Sequence, residues 1–246
     1  MKIIISETAN ELGKKAAKQA ALIINNAIES KGNARIALST GASQFTFFSA
    51  FVKEDIDWGR VEMFHLDEYI GVDSSHPASF CKYLKERFIS LLPKSLKAAY
   101  LIDGRKDAKS VIKEISEEIL IAPPDLGMIG IGENAHIAFN DPPADFITGE
   151  PYIVVNLSDT CKAQQVREGW FENAGKVCKQ AVSMSCRQIM KCKHIISAVP
   201  YAVKNNAVKA MLKAEKTDNN IPATLLKTHP GFWLYLDKES GKGVTV

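Results

Sequence analysis

Short apolar runs that alternate with longer amphipathic stretches constrain this chain more than any other feature. K-I-I-I-S at Lys2–Ser6, A-R-I-A-L-S at Ala34–Ser39 and H-I-I-S-A-V at His194–Val199 are too short to be helices of their own and carry turn signals at their ends. Further strands are predicted near Val61–Leu66, Ala98–Ile102, Leu126–Ile131, Tyr152–Asn156, Ala181–Met184 and Phe232–Leu236. Between them, helical patterns cover Ala9–Ser30, Phe45–Val52, Ala78–Leu92, Ala108–Ile121, Cys161–Trp170 and Val203–Ala214. Parallel strands joined by crossover helices give this alternation, so an α/β sheet is expected. With 246 residues, 46% of them hydrophobic, the chain can bury a substantial core. No internal repeat and no long Gly/Ser- or Pro-rich linker divides it, and one domain over 1–246 is expected.

Charge narrows the class of partner. Lys and Arg number 31 against 28 Asp and Glu, a formal balance of +3, and the basic residues are scattered. Neither nucleic acid nor a membrane surface is called for, whereas a small anionic substrate fits. The N-terminus reads as a strand followed by a polar helix rather than a secretory signal, and no run approaches the ~18 apolar residues that span a bilayer. A cytoplasmic location is the expectation. Cys81, Cys161, Cys178, Cys186 and Cys192 are odd in number and lack C-x-x-C spacing, so they are read as reduced, ordinary residues with no metal role.

Four segments carry residue types suited to chemistry. S-T-G-A-S (Ser39, Thr40, Gly41, Ala42, Ser43) follows a strand and opens a helix, where amides and hydroxyls can meet an anion; the plainer reading is a βα turn capped by Ser43. F-H-L-D-E-Y-I-G at Phe64–Gly71 places Asp67 and Glu68 where open α/β sheets bind ligands. Adjacent side chains diverge, and Asp67 is the better candidate for a general acid or base, with His65 as a packing residue. G-I-G-E-N-A-H-I-A-F-N-D at Gly130–Asp141 begins like a dinucleotide fingerprint, but Pro142 and Pro143 cut the following helix short. Here Gly132 gives a substrate close access to the backbone, and His136 stands among Glu133, Asn134 and Asp141 as a proton-exchanging imidazole; a capping loop with a surface His is the alternative. Lastly, Lys204 opens a late helix against its dipole, which costs stability unless an anion is near, while His229 in T-H-P is equally a site edge or turn chemistry.

As a set, D-E-Y-I-G with H-P-A-S-F at His76–Phe80, and G-E-N-A-H-I-A-F-N-D-P, resemble the glucosamine-6-phosphate deaminase family, related to 6-phosphogluconolactonases; the likeness runs from the first strand to F-W-L-Y-L-D. The resemblance implies a Rossmann-like, mostly parallel sheet with helices on both faces. It also implies conversion of glucosamine 6-phosphate, or a related hexosamine 6-phosphate, to a ketose 6-phosphate and ammonia, with no cofactor. By resemblance, S-T-G-A-S and Lys204 bind the phosphate, Asp67 moves the proton between C2 and C1, and His136 assists ring opening with carboxylate support from Glu133 or Asp141. Glu68, Gly132 and Asn134 would line the sugar. The chain departs from better-known members in carrying Asn134, Ala135 and Asp141 where those have Asp, Gly and Glu. It also shows Q-Q-x-x-E-G-W-F at Gln164–Phe171, which marks a branch in which Arg167 or Lys162 would complete the phosphate site. Hexameric members have a basic allosteric cluster after the histidine motif; here no Lys or Arg occurs between Asn140 and Cys161, so no such activation is expected. A lactonase-like hydrolase and a non-catalytic sugar-phosphate sensor are the rival readings, and monomer or homo-oligomer is left open.

Overall fold

The central strands of the main sheet are short runs buried on both faces, and the alternation of their side chains decides which of two cores each residue feeds. The structure, a computed structural model, describes residues 1–245. Strand β1 (Lys2–Ser6) leads into helix α1 (Ala9–Lys31), which starts where the Thr8 hydroxyl accepts the Glu11 amide at 3.2 Å and stops at Gly32 in the left-handed region. Strand β2 (Ala34–Leu38) is buried throughout: Ile36 and Leu38 face α1 and helix α2 (Phe45–Phe51), and Ala37 faces the other way. Gly13 of α1 lies so close to α2 that a Cβ there would meet the Thr46 carbonyl at 2.5 Å, so this helix crossing requires glycine.

Strands β3 (Val61–His65), β5 (Ala98–Tyr100), β6 (Leu126–Met128), β9 (His194–Val199) and β10 (Phe232–Asp237) complete a seven-stranded sheet. Its order is β1-β10-β9-β6-β2-β3-β5, and every neighbouring pair is parallel. Helix α4 (Ala108–Leu120) and helix α7 (Asn205–Lys213) pack on the face opposite α1. The chain runs from β2 outward through β3 to β5 and returns with β6 on the other side of β2. The carboxyl ends of β2 and β6 therefore flank the switch point at which open α/β sheets hold ligands.

One part of the architecture departs from the sequence reading. Strands β7 (Tyr152–Asn156) and β8 (Gln180–Met184) do not join the parallel sheet. With β4 (Asp67–Tyr69), read from sequence as a strand-to-loop edge, they form a separate antiparallel sheet of order β4-β8-β7. β7 is buried at Tyr152 and exposed at Val154, as befits a sheet with one wet face. Tyr152, Val182 and Met184 pack into the same core as Ile129 and Ile137, so this sheet sits over the carboxyl end of the larger one. Helix α3 (Phe80–Arg87), helix α5 (Asp159–Arg167) and the short helix α6 (Cys186–Ile189) border it. Among the described residues no helix is long and apolar enough to cross a membrane.

Candidate active site

The loop after β2 is pinned from three directions. The Ser39 amide donates to the Met128 carbonyl at 2.9 Å, and the Ser39 hydroxyl accepts the Gly130 amide at 3.1 Å, tying the ends of β2 and β6 together. Tyr83 of α3 donates its hydroxyl to the Gly41 carbonyl at 3.0 Å, and Gly41 itself has φ of 100°, which favours glycine. Buried Gln44 donates to the Ala198 carbonyl and to the Ser43 hydroxyl, both at 3.1 Å, so the turn over Ala42–Gln44 is fixed against the end of β9.

Lys204 lines the same cavity as this loop. It ends a 3₁₀ turn, Ala202–Lys204, and stands at the N-terminus of α7, where the exposed amides already carry positive character. It is only 6% exposed, and no ion pair among the described residues engages its ammonium. Burial pushes that ammonium below the ordinary lysine range, while Glu168 and Glu133 pull in the opposite direction. A buried cation without a partner is costly unless an anion comes to it.

The same cavity is lined by two groups that can move protons, Asp67 and His136. Asp67 pairs in β4 with Ser183 of β8, is almost completely buried, and receives no hydrogen bond among the described residues. Burial, and secondarily the Glu68 carboxyl, push it up to about 8. Glu68 faces the opposite way. It accepts the Ser79 hydroxyl at 2.8 Å and the amides of Cys81 at 2.7 Å and Phe80 at 3.2 Å, closing the first turn of α3. The expected substrate contact of Glu68 is thereby corrected: its acceptors are consumed by a helix N-terminus and it does not line the cavity.

His136 stands on a loop shaped for it. A Cβ on Gly132 would lie 2.3 Å from the His136 ring, so the ring occupies space that only glycine leaves open. Ala135 has φ of 65°, a left-handed conformation that L residues rarely adopt. The His136 amide donates to Asn134 Oδ1 at 3.2 Å, and His136 Nδ1 lies 3.0 Å from Asp141 Oδ1, an ion-pair separation at an angle off the line of a straight hydrogen bond. Asp141 also accepts from Asn134 Nδ2 at 3.0 Å and from the Ser158 hydroxyl at 2.7 Å. Burial raises this carboxyl, but the His136 ring and these donors outweigh it and hold it well below the usual carboxylate range.

Of the carboxylates expected to support His136, the structure selects Asp141. Glu133 instead pairs with Arg167 across to α5, and Lys162 pairs with Asp159 at 3.2 Å. Neither Arg167 nor Lys162 lines the cavity, which corrects the expectation of a second cation beside the loop; Asn134 acts on Asp141 and the His136 amide rather than on the cavity itself. His65 is fully buried and pushed down to about 3 by that burial, hence neutral, and it packs inside the fold. His229 bonds the Cys192 carbonyl at 2.7 Å before β10, at the opposite end of the sheet from the cavity. All five cysteines are free.

Ser39 to Ser43, Lys204, Asp67, Gly132 and His136 thus border one cavity, with about 580 Å³ of empty space including its mouth. Sequence reasoning did not single out eight of its lining residues: Gly130, Ile131, Ala138 and Phe139 beside the histidine loop, and Phe80, Gln164, Gln165 and Glu168 from α3 and α5. The Q-Q-x-x-E spacing was visible, but only the placement of α5 over the cavity turns those side chains inward.

Comparison with known proteins places the family and the fold. Residues 7–233 match the family described as glucosamine-6-phosphate isomerases/6-phosphogluconolactonase. A glucosamine-6-phosphate deaminase of Oenococcus oeni is 33% identical over 239 residues, 97% of this chain and 96% of that one. One from Staphylococcus epidermidis is 32% identical over 220 residues, 87% and 88% of the two chains. Among solved structures, a monomeric glucosamine-6-phosphate deaminase superposes with a TM-score of 0.89 at 25% identity, covering 98% of this chain and 99% of its own. The 6-phosphogluconolactonase of Trypanosoma brucei shares the fold, with a TM-score of 0.79 at 17% identity over 99% and 98% of the chains.

Proposed function

Because the chain belongs to the family of glucosamine-6-phosphate isomerases and 6-phosphogluconolactonases, we propose that it deaminates a hexosamine 6-phosphate, glucosamine 6-phosphate in the first instance, to a ketose 6-phosphate and ammonia. One observation carries the reading: a buried, unpaired ammonium and two proton-handling groups face the same cavity from different walls.

The chemistry divides between the two ends. At the Lys204 end, a C6 phosphate accepts from the ammonium and from hydroxyls and amides of the Ser39–Ser43 loop, in a pocket where water competes poorly. Binding there orients the rest of the sugar, so C1 and C2 fall toward Asp67 and His136. His136, with Asp141 opposite its Nδ1, shuttles the proton that opens the pyranose ring: it leaves the C1 hydroxyl and is returned to the ring oxygen. Asp67, as carboxylate, takes the proton from C2 of the open-chain amino aldehyde and returns it to C1 of the resulting enolamine. The C2 iminium so formed adds water and expels ammonia, leaving the 2-ketose. The carbonyl at C1 is the electron sink, so these steps use side chains and water alone.

Asp67 is tuned for this exchange. Burial keeps it largely protonated while the site is empty, and the positive 2-ammonium of an incoming substrate favours the carboxylate. The test is a panel of hexosamine 6-phosphates with ammonia and ketose phosphate measured together, alongside 6-phosphogluconolactone with acid release. Stoichiometric ammonia and ketose phosphate are expected from at least one amino sugar. Acid release from the lactone without ammonia from any amino sugar would replace this reading with the hydrolase.

A further inference from the structure

The wall of the cavity formed by α5 takes no part in the steps above, yet it is strongly polar. Gln164 and Gln165 are 8% and 5% exposed, and both line the cavity that Asp67 and Lys204 share. Each amide is half satisfied, and its partner fixes which half is left over. Gln164 donates Nε2 to Glu168 Oε1 at 2.7 Å; a carboxylate only accepts, so the free atom of Gln164 is its carbonyl oxygen. Gln165 accepts the Tyr69 hydroxyl on Oε1 at 2.6 Å, which leaves its NH₂ as a free donor. Glu168 is held in turn by the Trp170 indole N–H at 3.0 Å, so Gln164 cannot easily rotate. Adjacent on one turn of helix, the wall presents one oriented acceptor and one oriented donor.

The helix is also fastened where it meets the proton-handling loop. Ser158 caps its first turn by accepting the Cys161 amide at 3.1 Å and donates to Asp141, and Arg167 near its end pairs with Glu133. Among the described residues neither Gln164 Oε1 nor Gln165 Nε2 meets a protein partner, and both residues are more than nine-tenths buried against the cavity, so an oriented acceptor and an oriented donor side by side there fit a ligand with matching groups. A sugar hydroxyl both donates and accepts. On a hexose 6-phosphate, hydroxyls at C3 and C4 lie between the phosphate and the reacting carbons.

We propose that Gln164 and Gln165 read the C3 and C4 hydroxyls and set which hexose phosphate is accepted, Glu168 acting as the positioning residue that locks the Gln164 amide. This rests on the sugar-phosphate reading of the cavity but not on deamination. The test is therefore binding of unreactive sugars by calorimetry: glucose 6-phosphate, its 3-deoxy and 4-deoxy analogues, and inorganic phosphate. Wild type is expected to bind glucose 6-phosphate at least about tenfold tighter than one of the deoxy analogues. Gln164→Met should weaken glucose 6-phosphate by about tenfold to a hundredfold, leave inorganic phosphate unchanged, and move the analogue lacking the contacted hydroxyl by less than about threefold. Gln165→Glu keeps the acceptor for Tyr69 while replacing the free donor, and should show the same selectivity without disturbing the fold. Equal loss on all three sugars, no loss on any, or a wild type blind to both hydroxyls would overturn the proposal. Ammonia release from glucosamine 6-phosphate is scored separately, so failure of the deaminase reading is distinguishable from failure of this one.

Discussion

Asp67→Asn should make the protein more stable at neutral pH while removing its activity. Asp67 sits at about 8 in the folded chain against an ordinary 3.8, with burial as the main cause and Glu68 as the second. The fold therefore prefers the protonated acid. Stability that is complete below pH 4 is lost as the pH rises through the window up to about 8 and the carboxyl is forced to ionise without a donor. At about 1.4 kcal/mol per unit, the three units between 3.8 and pH 7 amount to roughly 4 kcal/mol, falling to under about 2 kcal/mol at pH 5. Asparagine does not titrate, so the variant should gain up to that amount at pH 7. For a chain of this length this is on the order of 10 °C in Tm, and half of it is readily measured. Thermal unfolding of both proteins at pH 5, 7 and 8 reads the effect, and turnover should fall at least about a hundredfold. The reasoning is refuted if the variant is no more stable than wild type at pH 7, or if its gain does not shrink between pH 8 and pH 5.

The same group sets a pH profile: as the base must be ionised, kcat/KM of the wild type should climb with pH toward about 8, and a profile flat from pH 6 to 9 contradicts the role of Asp67. Lys204→Met removes a buried ammonium that has no partner, so it should raise KM for the sugar phosphate by about a hundredfold or more and abolish the thermal protection that inorganic phosphate gives the wild type. Gly132→Ala places a methyl 2.3 Å from the His136 ring, and kcat should drop about tenfold to a hundredfold with little change in KM; an unaltered kcat means the ring position does not matter. Substrate saturation should be hyperbolic and indifferent to N-acetylglucosamine 6-phosphate, since the segment from Asn140 to Cys161 carries no cation to bind it.

The main sheet was legible because its central strands are buried on both faces and so read as continuous apolar runs; A-R-I-A-L and H-I-I-S-A-V leave little alternative. The antiparallel sheet was not. Asp67–Tyr69 is three residues of turn-like composition, and it becomes a strand only by pairing with Ala181–Ser183, over a hundred positions away. The same long reach hid the fates of Glu68 and Arg167. That adjacent carboxylates diverge follows from strand geometry, but nothing local reveals that Glu68 turns to the amides of Phe80 and Cys81, or that Arg167 meets Glu133. Two glutamines on a helix read as a solvated face until the helix is laid over a cavity.

The sequence disclosed one place where the chain acts against its own stability, Lys204, and the structure adds Asp67 and Ala135. Lys204 puts a cation at a helix N-terminus, Asp67 buries a carboxyl that receives no hydrogen bond among the described residues, and Ala135 stands in a left-handed conformation that costs an alanine about 1 kcal/mol. Local rules are broken in this way where function requires it. Lys204 and Asp67 are both buried against the same cavity, and the obvious relief would be for Asp67 to ionise and pair with the ammonium. Among the described residues no ion pair joins them, and neither figures among the groups that shift the other. An unpaired ammonium and a carboxyl held protonated within one pocket are answered together by a ligand that is anionic at one end and exchanges a proton at the other. A hexosamine phosphorylated at C6 and reacting at C1 and C2 has that polarity.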